Sequence, residues 1–367
     1  GSLNIWDSIN RTDYRPGYTI LGHVGSYHRC KNDFAIPGHE HMCQYRQPTF
    51  PSELNEGFIE TKNEQSEQDN SDTEAKQENI GIQPVLLAIQ QSSMLSLNVH
   101  FITFRNNMNK ILNTPYNRNS PWKIGAQRLS HPFFGHCICL HVIHKEESQT
   151  VQQQQWSYWG RKFEQLCTHI TSVKEGLDNE YCTITLSKLG NFRLLIAAEI
   201  DCYRTDSEAF PASIQQAKFL PKDFVELKTN RVLDDNKRAA SFYRYKLRSV
   251  WVQSMLAGVP TIIFGFRDDS GLLKNLKTYE TAKLPAISQE NGGNWDPSCC
   301  IRFGHHVLDL IFKSVQDNQN YYVEYTPQQH SVHITETNEQ TNFVEISFLD
   351  SLARSSTTCA CSVFSIS

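Results

Sequence analysis

The longest uninterrupted apolar stretch with an acidic end is Leu194-Leu195-Ile196-Ala197, running through Ala198 into Glu199-Ile200-Asp201. Its continuous apolar character predicts a central strand buried on both faces, with the carboxylates at the rim of a core. After a loop, Phe224-Val225-Glu226-Leu227-Lys228 predicts a second strand, and the two are expected to belong to one sheet. Side chains two apart in a strand share a face, so Glu199 goes with Asp201 and Glu226 with Lys228.

Around this pair the polar and apolar positions predict a helix over Pro84 to Gln90 and a strand from Leu95 to Phe104 that leaves Arg105 at its end. Met108, Ile111 and Leu112 then follow helical spacing, closed by Thr114-Pro115-Tyr116, because a residue before proline avoids the helical region. His136 to His141 alternates as a strand. A polar loop at Gln152 to Gln155 opens a helix whose apolar stripe is Trp156, Trp159, Phe163, Leu166, Cys167 and Ile170, with Glu164 on its flank. Lys237 to Leu256 predicts a long helix packing through Leu247, Val250, Trp251, Ser254 and Met255, stopped by Gly258 and Pro260 and carrying Lys246 and Gln253 on another side. Thr261 to Phe266 is a further buried strand ending in Arg267-Asp268-Asp269. A Gly-Gly loop, a helix near Val307 to Val315, and strands at Tyr321 to Tyr325 and Val332 to Ile334 complete the pattern. Residues 1 to 58 predict irregular strands packed onto the larger body.

Three carboxylates and an ammonium brought together at a core's rim are costly unless a cation accompanies them. Hard divalent ions prefer carboxylates, water and phosphate oxygens, and a lysine beside them can neutralise a phosphate under attack. An aspartate followed by Glu-x-Lys is the pattern of metal-dependent nucleases. From these residues alone a second reading stands beside it: Glu226 and Lys228 as an exposed pair, with Glu199 and Asp201 merely ending a strand. Two other clusters favour structure over chemistry. His39-Glu40-His41-Met42-Cys43 lacks the two spaced ligand pairs of a zinc site. Cys137 and Cys139, near His144, fit small buried thiols on one strand face.

Charge changes the picture more than overall composition does. The net charge of −4 argues against a nucleic-acid partner, but residues 60–78 hold seven acids and two lysines, a net of −5 that leaves the rest of the chain at +1. The stretch at about 60–80 is expected to be a flexible acidic insertion. Residues 79–145 carry six Lys or Arg and no acid, a basic surface available to phosphates. Eleven cysteines without a framework spacing predict free thiols in a reducing compartment. No secretory pattern opens the sequence and no apolar run approaches the roughly 20 residues that span a bilayer, so a soluble chain with no membrane partner is expected. At 367 residues it could hold one large domain or two small ones.

Taken in order, Arg105 with Thr114-Pro115-Tyr116, Gly160-Arg161-Lys162-Phe163-Glu164, Glu199-Ile200-Asp201, Glu226-Leu227-Lys228, Trp251-Val252-Gln253-Ser254 and Gly265-Phe266-Arg267-Asp268-Asp269 form a series. This series resembles the decapping exoribonuclease family, DXO and its RAI relatives, and most closely the cytoplasmic fungal branch. The resemblance covers residues 95–275 well and the ends loosely. It implies a single large mixed α/β (α+β) domain, its β-sheets flanked by helices around a nuclease-like Asp…Glu-x-Lys core, with the site in a cleft between sheets. It implies that Glu164, Asp201, Glu226 and the carbonyl of Leu227 hold metal, two ions of Mg²⁺ or Mn²⁺, and that Glu199 holds a water there. Lys228 and Gln253 are implied to contact the scissile phosphate, and Arg105 to hold substrate.

The activity implied is hydrolysis after the first nucleotide of incompletely methylated capped mRNA, releasing the whole cap dinucleotide, followed by 5′-to-3′ digestion at the same site. The RNA 5′ end is the expected partner, the chain the expected monomer, and the cytoplasm the expected location. Two alternatives remain open: an RAI-type 5′ pyrophosphohydrolase that binds and activates a larger nuclear 5′-to-3′ exoribonuclease, and a DNA nuclease. A nuclear import run of Lys/Arg would favour the first, and none is present.

Overall fold

In a computed structural model the chain folds around two sheets, described over residues 1–10, 15–29, 35–37, 42–59, 81–91, 98–131, 135–143, 149–169, 180–204, 221–340, 343–345 and 347–352. His39, Glu40, His41, His144, Ile170 and the acidic stretch 60–80 lie outside these residues. The N-terminal part supplies β1 (Ser2–Asn4), α1 (Ile5–Asn10), β2 (Tyr18–Arg29), β3 (Ala35–Pro37), β4 (Gln44–Tyr45), β5 (Ser52–Glu53) and α2 (Gln83–Gln91). The middle supplies β6 (Phe101–Phe104), α3 (Arg105–Asn113), β7 (Trp122–His131), β8 (Gly135–Val142), α4 (Val151–Cys167), β9 (Thr168–His169), β10 (Glu180–Leu189), β11 (Phe192–Glu199), β12 (Cys202–Tyr203) and β13 (Phe224–Arg231). Then follow α5 (Asn236–Ser241), α6 (Leu247–Ala257), β14 (Thr261–Arg267), β15 (Leu272–Glu280), α7 (Leu284–Glu290), α8 (Pro297–Ser314), β16 (Asn320–Thr326) and β17 (Ser331–Thr337).

A ten-stranded sheet runs β1-β17-β16-β7-β8-β6-β11-β10-β2-β3, and a seven-stranded sheet runs β5-β15-β14-β13-β12-β4-β9. β11 is the central strand expected, parallel to β6 and antiparallel to β10. Leu194 and Ile196 enter one core with α3, α6 and α8, while Leu195 and Ala197 enter another with α2. Burial on both faces is why its sequence is apolar without alternation.

The expectation that Glu199–Asp201 and Glu226–Lys228 lie on strands of one sheet is corrected. β11 belongs to the first sheet and β13 to the second. The chain leaves strand geometry at Ile200-Asp201, where the Ile200 amide still donates to the Tyr181 carbonyl at 2.9 Å, and enters the second sheet as β12, whose Cys202 pairs with Val225. Asp201 therefore sits on the crossover between sheets, beside β13. That crossover makes the cleft.

The same core that holds α3, α6 and α8 also takes Ile262, Phe264 and Phe266 from β14, so these helices are sandwiched between the two sheets. On the outer face of the second sheet α4 packs Trp159, Phe163 and Cys167 against Val225, Leu227, Ile263 and Leu273. Gln152 to Gln155 belong to α4 rather than to a loop before it. Thr150 caps the helix, accepting from the Gln153 amide at 3.2 Å while the Gln153 side chain accepts from the Thr150 amide at 2.9 Å. Trp156, expected on the apolar stripe, is exposed. The Lys237 to Leu256 helix is interrupted by a π-helical turn at Phe242–Lys246 between α5 and α6, and Gly258 in the left-handed region (φ 72°) ends it.

Close approach of α4 to β14 depends on Gly265. A Cβ there would lie 2.7 Å from Phe163 Cζ and 2.9 Å from Leu273 Cδ1. Gly265→Ala is therefore expected to destabilise the fold by about 1–3 kcal/mol through overpacking. The midpoint of chemical denaturation checks this, and an unshifted midpoint would show that α4 moves freely away.

Candidate active site

Glu226 lies at the centre of the cleft and is fully buried. Because β13 places it two residues from Lys228, both project from one strand face, and the Lys228 ammonium donates to Glu226 Oε1. The same oxygen accepts from Gln253 Nε2 at 2.6 Å, and Oε2 accepts from Arg105 Nη1 at 3.1 Å. Arg105 reaches it from the first turn of α3, directly after β6. Gln253 reaches it from α6. Asp201, on the crossover, accepts from the Leu227 amide at 2.6 Å through Oδ2, and Lys228 Nζ lies 3.9 Å from that same oxygen. Glu199 ends β11 beside it. Glu164 projects from the flank of α4, close enough that its charge and those of Asp201, Lys228, Glu199 and Glu226 act on one another.

The structure thus brings together all the expected side chains, Arg105, Glu164, Glu199, Asp201, Glu226, Lys228 and Gln253, from two sheets and three helices. Leu227 enters through its backbone amide.

The charges are not balanced. Burial pushes the Glu226 carboxyl up, but the Lys228 and Arg105 charges and hydrogen bonds outweigh that and hold it below the usual range. Its neighbours go the other way. Asp201 is raised to about 6 by burial and then by the Glu226 charge. Glu164 is raised to about 8 by burial and Asp201. Glu199 is raised to about 7 by the surrounding protein, Asp201 and Glu180, although solvent reaches this side chain and screens it more than its buried neighbours. Burial works against the Lys228 and Arg105 cations, yet the carboxylates prevail and keep both charged.

Three carboxyl groups raised above their ordinary values mark negative charge left incompletely neutralised by Lys228 and Arg105. Their donors are all oxygens, a set that fits a hard divalent cation. Among the described residues no three His, Cys, Asp or Glu side chains form a closed metal-holding group. The oxygens of Glu226 are engaged instead by Lys228, Gln253 and Arg105.

Lys246 is the last residue of the π-helical turn, immediately before α6 and two turns before Gln253. Burial, followed by the charges of Lys228 and Arg267, draws its pKa down to about 8. The sequence pattern set Lys246 beside Gln253 without assigning it to the cleft, because a lysine on a mixed helix face reads as solvated.

Comparison with known proteins places this geometry. Residues 22–349 match the family model described as RAI1-like PD-(D/E)XK nuclease. The chain belongs to this family. The bovine decapping and exoribonuclease protein is 32% identical over 231 residues, 59% of this chain and 55% of that protein, so the chain spans about half the length of this relative. Decapping nuclease RAI1 of Aspergillus fumigatus is 26% identical over 351 residues, 87% of this chain and 89% of that protein. Among solved structures, Candida albicans Rai1 in complex with pU5-Mn²⁺ superposes with a TM-score of 0.71 at 22% identity, covering 96% of this chain and 99% of that one. Scheffersomyces stipitis Rai1 in complex with (3′-NADP)⁺ and calcium ion gives a TM-score of 0.75 at 19% identity, covering 97% of each. As a RAI1-like nuclease the chain has the mixed α/β fold expected of it, one domain with sheets flanked by helices.

Arg105, in the first turn of α3, is a buried cation paired with Glu226. Arg105→Lys keeps a charge but loses the planar fork, and the lysine reaches Glu226 with a single donor. RNA turnover is expected to fall about 10-fold or more at retained melting temperature. A rate equal to that of the unsubstituted chain would remove Arg105 from the site.

Proposed function

We propose that this chain is a divalent-metal-dependent hydrolase of RNA 5′ ends that releases the cap dinucleotide from incompletely methylated mRNA and then digests the RNA 5′-to-3′ at the same site. The observation that carries it is the convergence of Lys228, Gln253 and Arg105 on a cluster of four carboxylates whose own charge is incompletely balanced. Support comes from the RAI1-like relatives, named decapping nucleases, and from Candida albicans Rai1, bound to a 5′-phosphorylated oligonucleotide and Mn²⁺.

In this reading Glu164, Asp201 and Glu226, with the Leu227 carbonyl, would hold Mg²⁺ or Mn²⁺, two ions when fully loaded. Bound there, such ions activate water and offset charge on the attacked phosphate. The chain's own residues do the rest. Lys228, held between Glu226 and Asp201, presents an ammonium to the phosphate, and the Gln253 amide adds a neutral donor beside it. Glu199, at the end of β11 beside Asp201, is placed to accept a proton from water. Arg105 anchors Glu226 and faces the incoming strand.

The thiols described are free, which suits a reducing compartment, cytoplasm or nucleus alike; of these we propose the cytoplasm, with the nucleus as the alternative. A second reading, 5′ pyrophosphohydrolysis together with activation of a partner exoribonuclease, is favoured by the match to an RAI1 protein over most of both chains. The 5′-end product profile on capped, monophosphorylated and triphosphorylated RNA, with a DNA oligonucleotide of the same sequence, tests these readings. Cap dinucleotide followed by mononucleotides is the expected result. Pyrophosphate alone from triphosphorylated RNA supports the second reading, and cleavage of DNA alone would overturn both.

A further inference from the structure

Beside the carboxylate cluster lies a cavity of about 590 Å³ that the chemistry above does not use, bounded by one face of α3, by the adjoining ends of β7 and β8, and by α6. Asn106, Asn109, Lys110 and Asn113 supply the α3 wall at helical spacing. Asn109 stands one turn beyond Arg105 on α3 and Ser249 one turn before Gln253 on α6, so the cavity lies about one helical turn from these active-site side chains. It is open at both ends: Asn106 is exposed at one, and Asn117, Ser120 and Pro121 are exposed at the other. No acidic residue lines it.

Its charge is set for an anion. Among the described residues the Lys110 side chain makes no hydrogen bond and no ion pair, and burial draws its pKa down, the signature of an ammonium without a counter-charge. Asn109 Oδ1 is buried without a hydrogen-bond partner. Arg248, almost wholly buried, is fixed by Asn113 Oδ1 at 3.3 Å and by the Tyr116 ring, 5.3 Å from its guanidinium carbon. Lys110 lines the cavity about 7.5 Å along the helix axis from Arg105, which turns to Glu226 on another side of α3.

We propose that this groove carries the single-stranded RNA on the 3′ side of the scissile phosphate, with Lys110 and Arg248 facing backbone phosphates and the α3 asparagines facing ribose hydroxyls and base edges. This rests on the RNA-hydrolase reading above. An open-ended channel suits a strand that continues past the site, whereas a terminal group would call for a closed end. Amides offering both donors and acceptors suit nucleotides better than an acidic peptide, which would present acceptors alone.

The test measures binding without turnover. Fluorescence anisotropy of 5′-phosphorylated oligouridylates, a dimer and an octamer, is followed in chelator over a range of salt with the full chain. Lys110→Glu and, separately, Asn106→Asp at the exposed mouth are expected to weaken octamer binding about 5- to 10-fold and to narrow its advantage over the dimer. Lys110→Ala should lower the salt slope by about 0.7, one single-strand phosphate contact. Lys283→Ala, outside the groove and paired with Glu280, should leave binding unchanged. Octamer affinity and slope equal to those of the unsubstituted chain in both groove variants would overturn the proposal, as would displacement of neither oligonucleotide but binding of an oligoglutamate. Hydrolysis of the octamer by the unsubstituted chain with Mn²⁺ is assayed separately. Its absence would count against the RNA-hydrolase reading while the anisotropy still decides the groove.

Discussion

Asp201→Asn is expected to abolish cap removal and the digestion of 5′-monophosphorylated RNA together, while RNA binding persists and the melting temperature stays level or rises. Losing one stabilising interaction in a preorganised site typically costs about 10²–10³ in rate, and losing a metal ligand costs more. The fold should tolerate the change. Asparagine is nearly the same size, its carbonyl oxygen can still accept from the Leu227 amide now 2.6 Å from Oδ2, and one charge is removed from a crowded group. That last effect is stabilising, because burial and the Glu226 charge already press the Asp201 carboxyl up to about 6. Lys228→Ala should reproduce the loss of activity without weakening metal binding, since its ammonium is assigned to the phosphate. If Asp201→Asn stops cap removal while monophosphorylated RNA is digested at the original rate, the two activities do not share one centre.

How far the site could be read from the residues depends on the range over which each signal acts. Leu194 to Ala197 announced a strand buried on both faces because every position is apolar, and nothing non-local was needed. The sheet to which Asp201 belongs is a non-local fact. The departure from strand geometry at Ile200-Asp201 leaves no mark in local composition, so the two acidic segments read as one sheet although they lie on two. Glu164 looked like a flank residue because only the packing of Trp159 and Phe163 on β13 and β14 turns it toward the cleft. The start of α4 was hidden by Gln152 to Gln155, whose polarity reads as a loop. The pairing of Thr150 with Gln153 carried the correct signal. The π-helical turn at Phe242–Lys246 shifts the helical phase by one residue, which helical spacing counted through Lys237 to Leu256 does not register. β15 escaped because exposed Lys274, Asn275 and Lys277 interrupt its apolar pattern. The groove was the least legible feature, since asparagines at helical spacing look like a solvated face until a second wall is placed opposite them.

Removing divalent metal is expected to silence hydrolysis entirely, with Mg²⁺ or Mn²⁺ restoring it, and to leave a distinctive pH dependence of stability. In the metal-free chain the folded-state carboxyls of Glu164, Glu199 and Asp201 lie at about 8, 7 and 6, above ordinary values of 4.5, 4.5 and 3.8. The folded state therefore binds more protons than the unfolded state between about pH 4 and 8, and stability must fall as pH rises through that window. The contribution is fully present below the unfolded values and is lost as each folded carboxyl ionises. Glu226, depressed by Lys228 and Arg105, acts in the opposite sense, but only at acidic pH. A bound cation takes the place of those protons, so its apparent affinity should rise over the same window and its stabilisation of the fold should be greatest at the alkaline end. Thermal melts in chelator and in Mn²⁺ from pH 5 to 8.5 check this directly: the curves should lie close together at pH 5 and separate progressively above pH 6. Parallel curves across the range would mean that Glu164, Asp201 and Glu226 do not form the metal-binding group, and full hydrolysis in excess chelator would remove the metal from the mechanism altogether.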